Sequence, residues 1–201
     1  MLAYYSTRLP AVEINNTFYR LPQKSLIDGW REQVPEDFRF VIKAPRRISH
    51  VKRLADCADE TRRLFDAVEG LGERLGAVLV QLPPHLRVDV ERLESFLALL
   101  PRDAPVAFEF RHDSWRDERV LDALRRHGAA WVTVDNDGAK PDTLPRTADW
   151  TYLRLRAPEY DAATLRAWRE SCEGFERAFV FFKHEDEAAG PAFAERMMSL
   201  G

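Results

Sequence analysis

Short apolar runs recur along the chain at even intervals, separated by longer amphipathic stretches. The runs are Ala11–Ile14, Phe38–Ile42, Ala77–Leu82, Val106–Phe110, Ala130–Val134, Thr151–Leu155 and Ala178–Phe182. Each is rich in Val, Ile, Phe, Tyr or Trp, and several are apolar without a break. Strands covered on both faces of a parallel sheet have this pattern. Helical periodicity fills most of the intervals. In Asp59–Leu75 the residues Leu64, Phe65, Val68, Leu71 and Leu75 repeat at three and four. Asp89–Leu100 does the same and is stopped by Pro101. Asp117–His127 ends at Gly128, which suits a C-terminal cap, and Asp161–Cys172 opens on an Asp N-cap. A last pattern, Phe193, Met197 and Leu200, follows Gly190-Pro191. Only the connection Asn136–Trp150, with two Pro and a Gly, reads as a loop.

Alternating strands and helices imply parallel strands joined by right-handed crossovers. Seven strands fit either an open doubly wound sheet or a closed barrel. No glycine-rich phosphate turn follows any of them, so a nucleotide-binding Rossmann domain has no support. Polar residues follow nearly every strand, which favours an α/β fold of the TIM-type (β/α) barrel, whose site is ringed by the strand ends. No repeat or linker interrupts the chain, so a single domain over residues 1–201 is expected.

The strand ends carry the candidate chemistry. The first gives Glu13, Asn15, Asn16, Phe18, Tyr19 and Arg20, the second Lys43, Arg46, Arg47 and His50, and the third Gln81. The fourth gives Glu109, Arg111, His112 and then Trp115, and the fifth Asp135, Asn136 and Asp137. Arg154 and Arg156 follow from the sixth, and Lys183, His184, Glu185 and Asp186 from the seventh. Charges inside apolar strands, such as Glu109, Lys43 and Glu13, are costly to bury alone. At a barrel mouth they can neutralise one another, as a structural network or as a pocket for a charged substrate. Trp115 can wall such a pocket or pack in the core.

Composition narrows the classes. Hydrophobic residues make up 45%, with 12 Phe and 5 Trp, ample for one large core. A net charge of −3 argues against a strong global field for polyanions, and leaves room for a local basic cluster such as Arg46-Arg47 with Lys52-Arg53. Cys57 and Cys172 show no CxxC or Cys/His spacing, so two free thiols in a reducing cytosol are expected. No export signal and no apolar run near the roughly 20 residues of a membrane span is found, so the expected location is cytoplasmic with no membrane partner. Glu13, Glu109, Asp135, His50, His112 and Glu185 are of metal-ligand type, but no tight spacing joins them. Lys43, Arg111 and Arg154 would repel a cation, so no metal is assigned and the cofactor is left unknown.

Several motifs in order carry a family resemblance. They are Val12-Glu13-Ile14-Asn15-Asn16-Thr17-Phe18-Tyr19-Arg20, Phe40-Val41-Ile42-Lys43-Ala44 with Ser49-His50, and Gln81-Leu82-Pro83-Pro84. Phe108-Glu109-Phe110-Arg111-His112 with Ser114-Trp115, Tyr152-Leu153-Arg154 and Phe181-Phe182-Lys183-His184 complete the set. Together they resemble the YecE-like family (domain of unknown function 72) over essentially the whole chain. The resemblance implies a (β/α)8 barrel and no established reaction. Family members resemble one another from an earlier strand with a Gly-Thr-Ser-Gly-like sequence, so seven of eight strands are expected here. A barrel without its first strand would have two edges, which favour self-association.

Two functions from different classes stay open. An enzyme acting on an anionic substrate, phosphate- or carboxylate-bearing, would use Lys43, Arg111 and Arg154 to bind charge. Glu109 or Glu13 would be its general base and His50 or His112 its acid. Asn15, Tyr19, Gln81, Trp115, Asp135 and Lys183 would add substrate contacts. A nucleic-acid phosphodiester enters by analogy with metal-dependent barrel endonucleases, against the negative net charge. The alternative is a non-catalytic module for a small anion or a nucleic-acid phosphate. A degenerate family member with neither activity is the third reading.

Overall fold

The computed structural model describes residues 1–135, 143–183 and 189–200. Seven strands, β1 (Ala11–Ile14), β2 (Arg39–Lys43), β3 (Leu75–Gln81), β4 (Val106–Glu109), β5 (Ala130–Val134), β6 (Trp150–Leu155) and β7 (Arg177–Phe182), coincide with the seven apolar runs to within two residues at either end. Every neighbouring pair is parallel and the order is sequential, β1 to β7. Helices α1 (Leu2–Ser6), α2 (Lys24–Glu32), α3 (Ala58–Val68), α4 (Val90–Leu97), α5 (Glu118–Arg126), α6 (Ala162–Ser171) and α7 (Ala189–Ser199) alternate with them. The result is a nearly closed TIM-like α/β barrel. Among the described residues it is not sealed: β1 and β7 each pair on one side only.

The pleat sorts residues between two cores, because successive side chains on a strand point to opposite faces. Phe40, Ile42, Val78, Val80, Val106 and Phe108 face the helices and meet Ile27, Leu64, Leu93, Phe96 and Leu124. Val41, Ala77, Leu79, Ala107, Val132, Tyr152 and Phe179 fill the barrel interior. A second helix-side cluster joins Leu153, Leu155 and Phe182 to Leu165, Trp168 and Met197. The interior is tightly filled near its floor: a Cβ on Gly76 would lie 2.8 Å from the Phe179 ring and 3.0 Å from Arg39 Cβ.

The N-cap expected at Asp161 accepts from the Thr164 N–H, and Asp89 and Asp117 cap α4 and α5 in the same way, accepting from the backbone N–H of Arg92 and Arg119. Gly128 adopts φ +60° beyond α5. The helix expected over 59–75 is shorter. It stops at Val68, gives way to a 3-10 turn, and Leu75 opens β3. Gly72, at φ 55° and ψ −132°, breaks the helix in a conformation open to glycine. Helix α2, in the interval between β1 and β2 where no helical periodicity stands out, buries Ile27 while Trp30 stacks on Phe40 at 5.6 Å. The basic segment after β2 contains a π-helical turn, Arg47–Val51, followed by left-handed residues Arg53, Leu54 and Asp56.

A polar layer at the barrel mouth

The residues two positions beyond the apolar interior layer form the candidate site. Val41, Leu79, Ala107 and Tyr152 point into the barrel, so Lys43, Gln81, Glu109 and Arg154 must point the same way one layer nearer the strand ends. In the register Gln81 stands beside Glu109. Period two therefore assembles a charged layer directly above an apolar one.

Arg154 holds this layer together. One guanidinium nitrogen donates to Glu13 Oε1 at 2.8 Å and another to Glu109 Oε2 at 2.6 Å. Arg156 donates to Glu109 Oε1 at 2.8 Å, and Gln81 Nε2 to Glu109 Oε2 at 2.9 Å. Glu13 also accepts from Asn15 Nδ2 at 2.9 Å and from the Tyr152 hydroxyl at 2.5 Å. Both Glu109 oxygens are occupied in a site where the side chain is 1% exposed. Burial works to raise its pKa, but Arg154 and Arg156 outweigh that and hold it below the ordinary carboxylate range. Burial, then Glu13, pushes the Tyr152 phenol well above its usual value. Tyr152 is the member that sequence reasoning missed. Its place two residues before Arg154, on the same face of β6, was the available signal.

Lys43 differs from its neighbours. It is half-buried, and among the described residues its ammonium makes no ion pair. Its contact is the ring of Phe18, 4.8 Å from the centroid. Burial, then the cation of Arg154, lowers its pKa. The Phe18 ring is set by Thr17, whose buried hydroxyl engages Ile14 O at 2.9 Å and Lys43 O at 2.7 Å. Phe18 meets His50 edge-on at 5.0 Å and Tyr19 edge-on at 5.1 Å. The His50 Nδ1 lies 2.9 Å from Ser49 Oγ. Burial, followed by Lys43, Arg46, Arg111 and His85, lowers the His50 pKa, which keeps the ring neutral at pH 7.

The other expected site residues divide. Asn15 joins the network, whereas Tyr19 and Arg111 are exposed at the rim. Three residues have structural partners instead. His112 Nδ1 accepts from the Ser114 N–H at 3.1 Å and caps the turn Asp113–Trp115. Trp115 is buried, donates to Leu86 O at 2.8 Å and stacks on Phe110 at 4.6 Å, so it packs the core and does not wall a pocket. Asp135 accepts from the Arg156 N–H at 2.6 Å, the Ala157 N–H at 3.2 Å and the Tyr160 hydroxyl, which ties down the turn after β6. Lys183 follows β7, with its backbone N–H on Leu155 O at 2.7 Å. Asn136, Asp137, His184, Glu185 and Asp186 lie outside the described residues.

Among the described residues, no three His, Cys, Asp or Glu side chains converge as a metal site, and Arg154 stands between Glu13 and Glu109. Two concavities lie elsewhere: a groove of about 770 Å³ beside α2, lined by Ile14, Arg20, Leu26 and Trp30, and one of about 340 Å³ against α6. Neither is lined by Lys43, His50, Glu13 or Glu109, so the chemistry at the mouth outweighs the size of these hollows.

Fold and mouth together define a TIM-like α/β barrel protein with an ion-paired polar layer at its strand ends. More closely, the chain belongs to the family described as "Protein of unknown function DUF72", which it matches over residues 1–200. It is 32% identical over 141 residues to the UPF0759 protein YecE of Escherichia coli K12, covering 67% of this chain and 52% of that protein. It is 29% identical over 163 residues to the UPF0759 protein YunF of Bacillus subtilis 168, covering 73% and 57%. The chain thus spans about half the length of these relatives. A DUF72 family protein (EF0366) from Enterococcus faecalis V583 superposes with a TM-score of 0.82 at 22% identity, covering 100% of this chain and 92% of that one. Another (TM1631) from Thermotoga maritima MSB8 gives 0.79 at 26%, covering 96% and 84%. Among the described residues no helix is long and apolar enough to cross a membrane.

Proposed function

We propose that the barrel mouth binds an anionic substrate, phosphate- or carboxylate-bearing, and that His50 exchanges a proton with it. One observation carries this reading: among the described residues the half-buried Lys43 ammonium makes no ion pair, in a layer where Glu13 and Glu109 are already engaged by Arg154, Arg156 and Tyr152. A desolvated cation without a counterion is costly to keep, and an incoming anion relieves that cost. His50 meets the same Phe18 ring edge-on, neutral and able to accept a proton at pH 7. Glu13 and Glu109 then act as anchors that hold Arg154 in place, and are poor general bases because their oxygens are occupied.

The test is an NMR titration of the histidine C2 protons against pH, with and without inorganic phosphate. Bound phosphate should raise the His50 pKa, and Lys43→Met, which removes the anion's partner, should abolish that rise. No response to phosphate, or an equal response in Lys43→Met, would sink the proposal. The same occupied carboxylates favour a second reading, a binding module without turnover. Hydrolysis assays on phosphate mono- and diesters and on carboxylic esters separate the two. An enzyme loses turnover in His50→Asn while retaining phosphate affinity, whereas a module binds saturably and shows no turnover in either form.

A further inference from the structure

The rim around the mouth has a charge distribution at odds with the chain's net charge of −3. The loop after β1, residues 15–23, contains Arg20 and no Asp or Glu. The segment after β2, residues 44–57, contains Arg46, Arg47, Lys52 and Arg53 against one acid, Asp56. Residues 82–88, after β3, hold His85 and Arg87 and no acid, and residues 110–117, after β4, hold Arg111, His112 and Arg116 beside Asp113, which pairs with Arg116, and Asp117, which pairs with Arg119. Together these four strand-end segments carry more Lys and Arg than Asp and Glu. Parallel strands make that a spatial fact, since all their C-terminal ends lie on one face of the barrel.

Much of this charge is unpaired among the described residues. Glu60 reaches up from α3 to hold Arg47 at 2.7 Å and Lys52 at 2.8 Å. Arg20, Arg46, Arg53, Arg87 and Arg111 are exposed and make no ion pair among the described residues. The outer helices behave differently: there Arg62 pairs with Asp59, Arg119 with Asp117, and Arg125 with Glu118 and Asp122. Amid the basic rim stands Tyr19, 82% exposed, held edge-on against Phe18. Unpaired cations that track a backbone and an exposed ring that receives a base are the two elements of a single-strand binding surface.

We infer that the loops after β1, β2, β3 and β4 form a binding surface for single-stranded nucleic acid, with phosphates on Arg46, Arg53, Arg87 and Arg111 and a base stacked on Tyr19. The inference rests on the reading of the mouth as an anion site only where a phosphate would enter toward Lys43. A duplex does not satisfy the same surface, because its bases are stacked on each other and leave Tyr19 without a partner.

Fluorescence anisotropy of labelled 12-nucleotide dT and rU strands, beside a duplex of equal length, tests this. About four phosphate contacts predict a slope near −2.8 in log affinity against log salt, or roughly a fifty-fold loss between 50 and 200 mM. Arg46→Ala with Arg53→Ala should flatten that slope by about 1.4. Tyr19→Ala should weaken binding by about tenfold and leave the slope unchanged. Arg125→Ala, on the outer face of α5, should change neither. Absence of binding at 50 mM salt would overturn the inference, as would duplex bound as tightly as single strands with no effect of Tyr19→Ala, which marks a plain polyanion surface. Phosphate titration in parallel keeps the two readings apart. Phosphate binding at Lys43 without oligonucleotide binding refutes this inference alone, and the converse refutes the mouth proposal alone.

Discussion

Replacing Arg154 with Met removes the cation that Glu13 and Glu109 share, and keeps most of the side-chain volume. The three side chains are 16%, 7% and 1% exposed, so the pairs are desolvated and weakly screened. Losing one partner of a buried ion pair costs about 3–5 kcal/mol, because it leaves an uncompensated charge. Here Glu109 keeps Arg156 and Gln81, and Glu13 keeps Tyr152 and Asn15, so the lower end, about 3 kcal/mol, applies. For a chain of this size that lowers the melting temperature by about 6–12 °C. The deficit should also depend on pH with a definite sign. Burial tends to raise the Glu109 pKa and the two arginines reverse this, leaving it depressed in the native state. Such a group adds stability above its unfolded pKa of about 4.3, and that stability is lost as pH falls through the lower native value. In Arg154→Met burial meets less opposition, the native pKa rises, and the variant loses less on acidification. Thermal unfolding followed by circular dichroism at pH 7 and pH 4 should therefore show a gap that narrows in acid, with Arg154→Lys intermediate. A change under 2 °C at pH 7, or a gap independent of pH, would refute the account of the mouth as a mutually dependent charge layer.

Other consequences are simpler to measure. Gly76→Ala drives a methyl against Phe179 and Arg39 at the barrel floor, and should cost about 1–3 kcal/mol in urea unfolding; an unchanged midpoint would mean the floor is loosely packed. Asp135→Asn weakens the acceptor that anchors the turn after β6, which should cost about 1–3 kcal/mol and speed hydrogen exchange at Arg156 and Ala157. Exchange unchanged at those amides would count against that role. The Cys57 thiol is fully buried, and burial, then Glu60, raises its pKa to about 11. It should resist a thiol reagent at pH 8 until the protein is unfolded, and rapid native labelling at Cys57 would contradict its placement.

The sequence alone determined the strands, their parallel alternation with helices, and the residues at the strand ends. Unbroken Val, Ile and Phe runs and Asp-headed helices are local signals, legible without knowing what they pack against. Where local chemistry was mixed, as at Gly70–Gly72 or in the interval that became α2, boundaries were lost or passed over. What each strand-end residue does was decided by partners far away in sequence. Glu109 and Arg154 are 45 residues apart and Tyr152 and Glu13 are 139, so no spacing announces their contacts. Trp115, His112 and Asp135 carry side chains suited to a site, yet neighbouring backbone groups at Leu86, Ser114 and Ala157 claim them. Lys43 is the reverse case: its residue type is unremarkable, and its significance comes from the tertiary fold, which buries it beside Phe18 while other cations take the available carboxylates. A hydrogen bond or an ion pair is a property of two positions in space, and closure of the barrel is what brings those positions together.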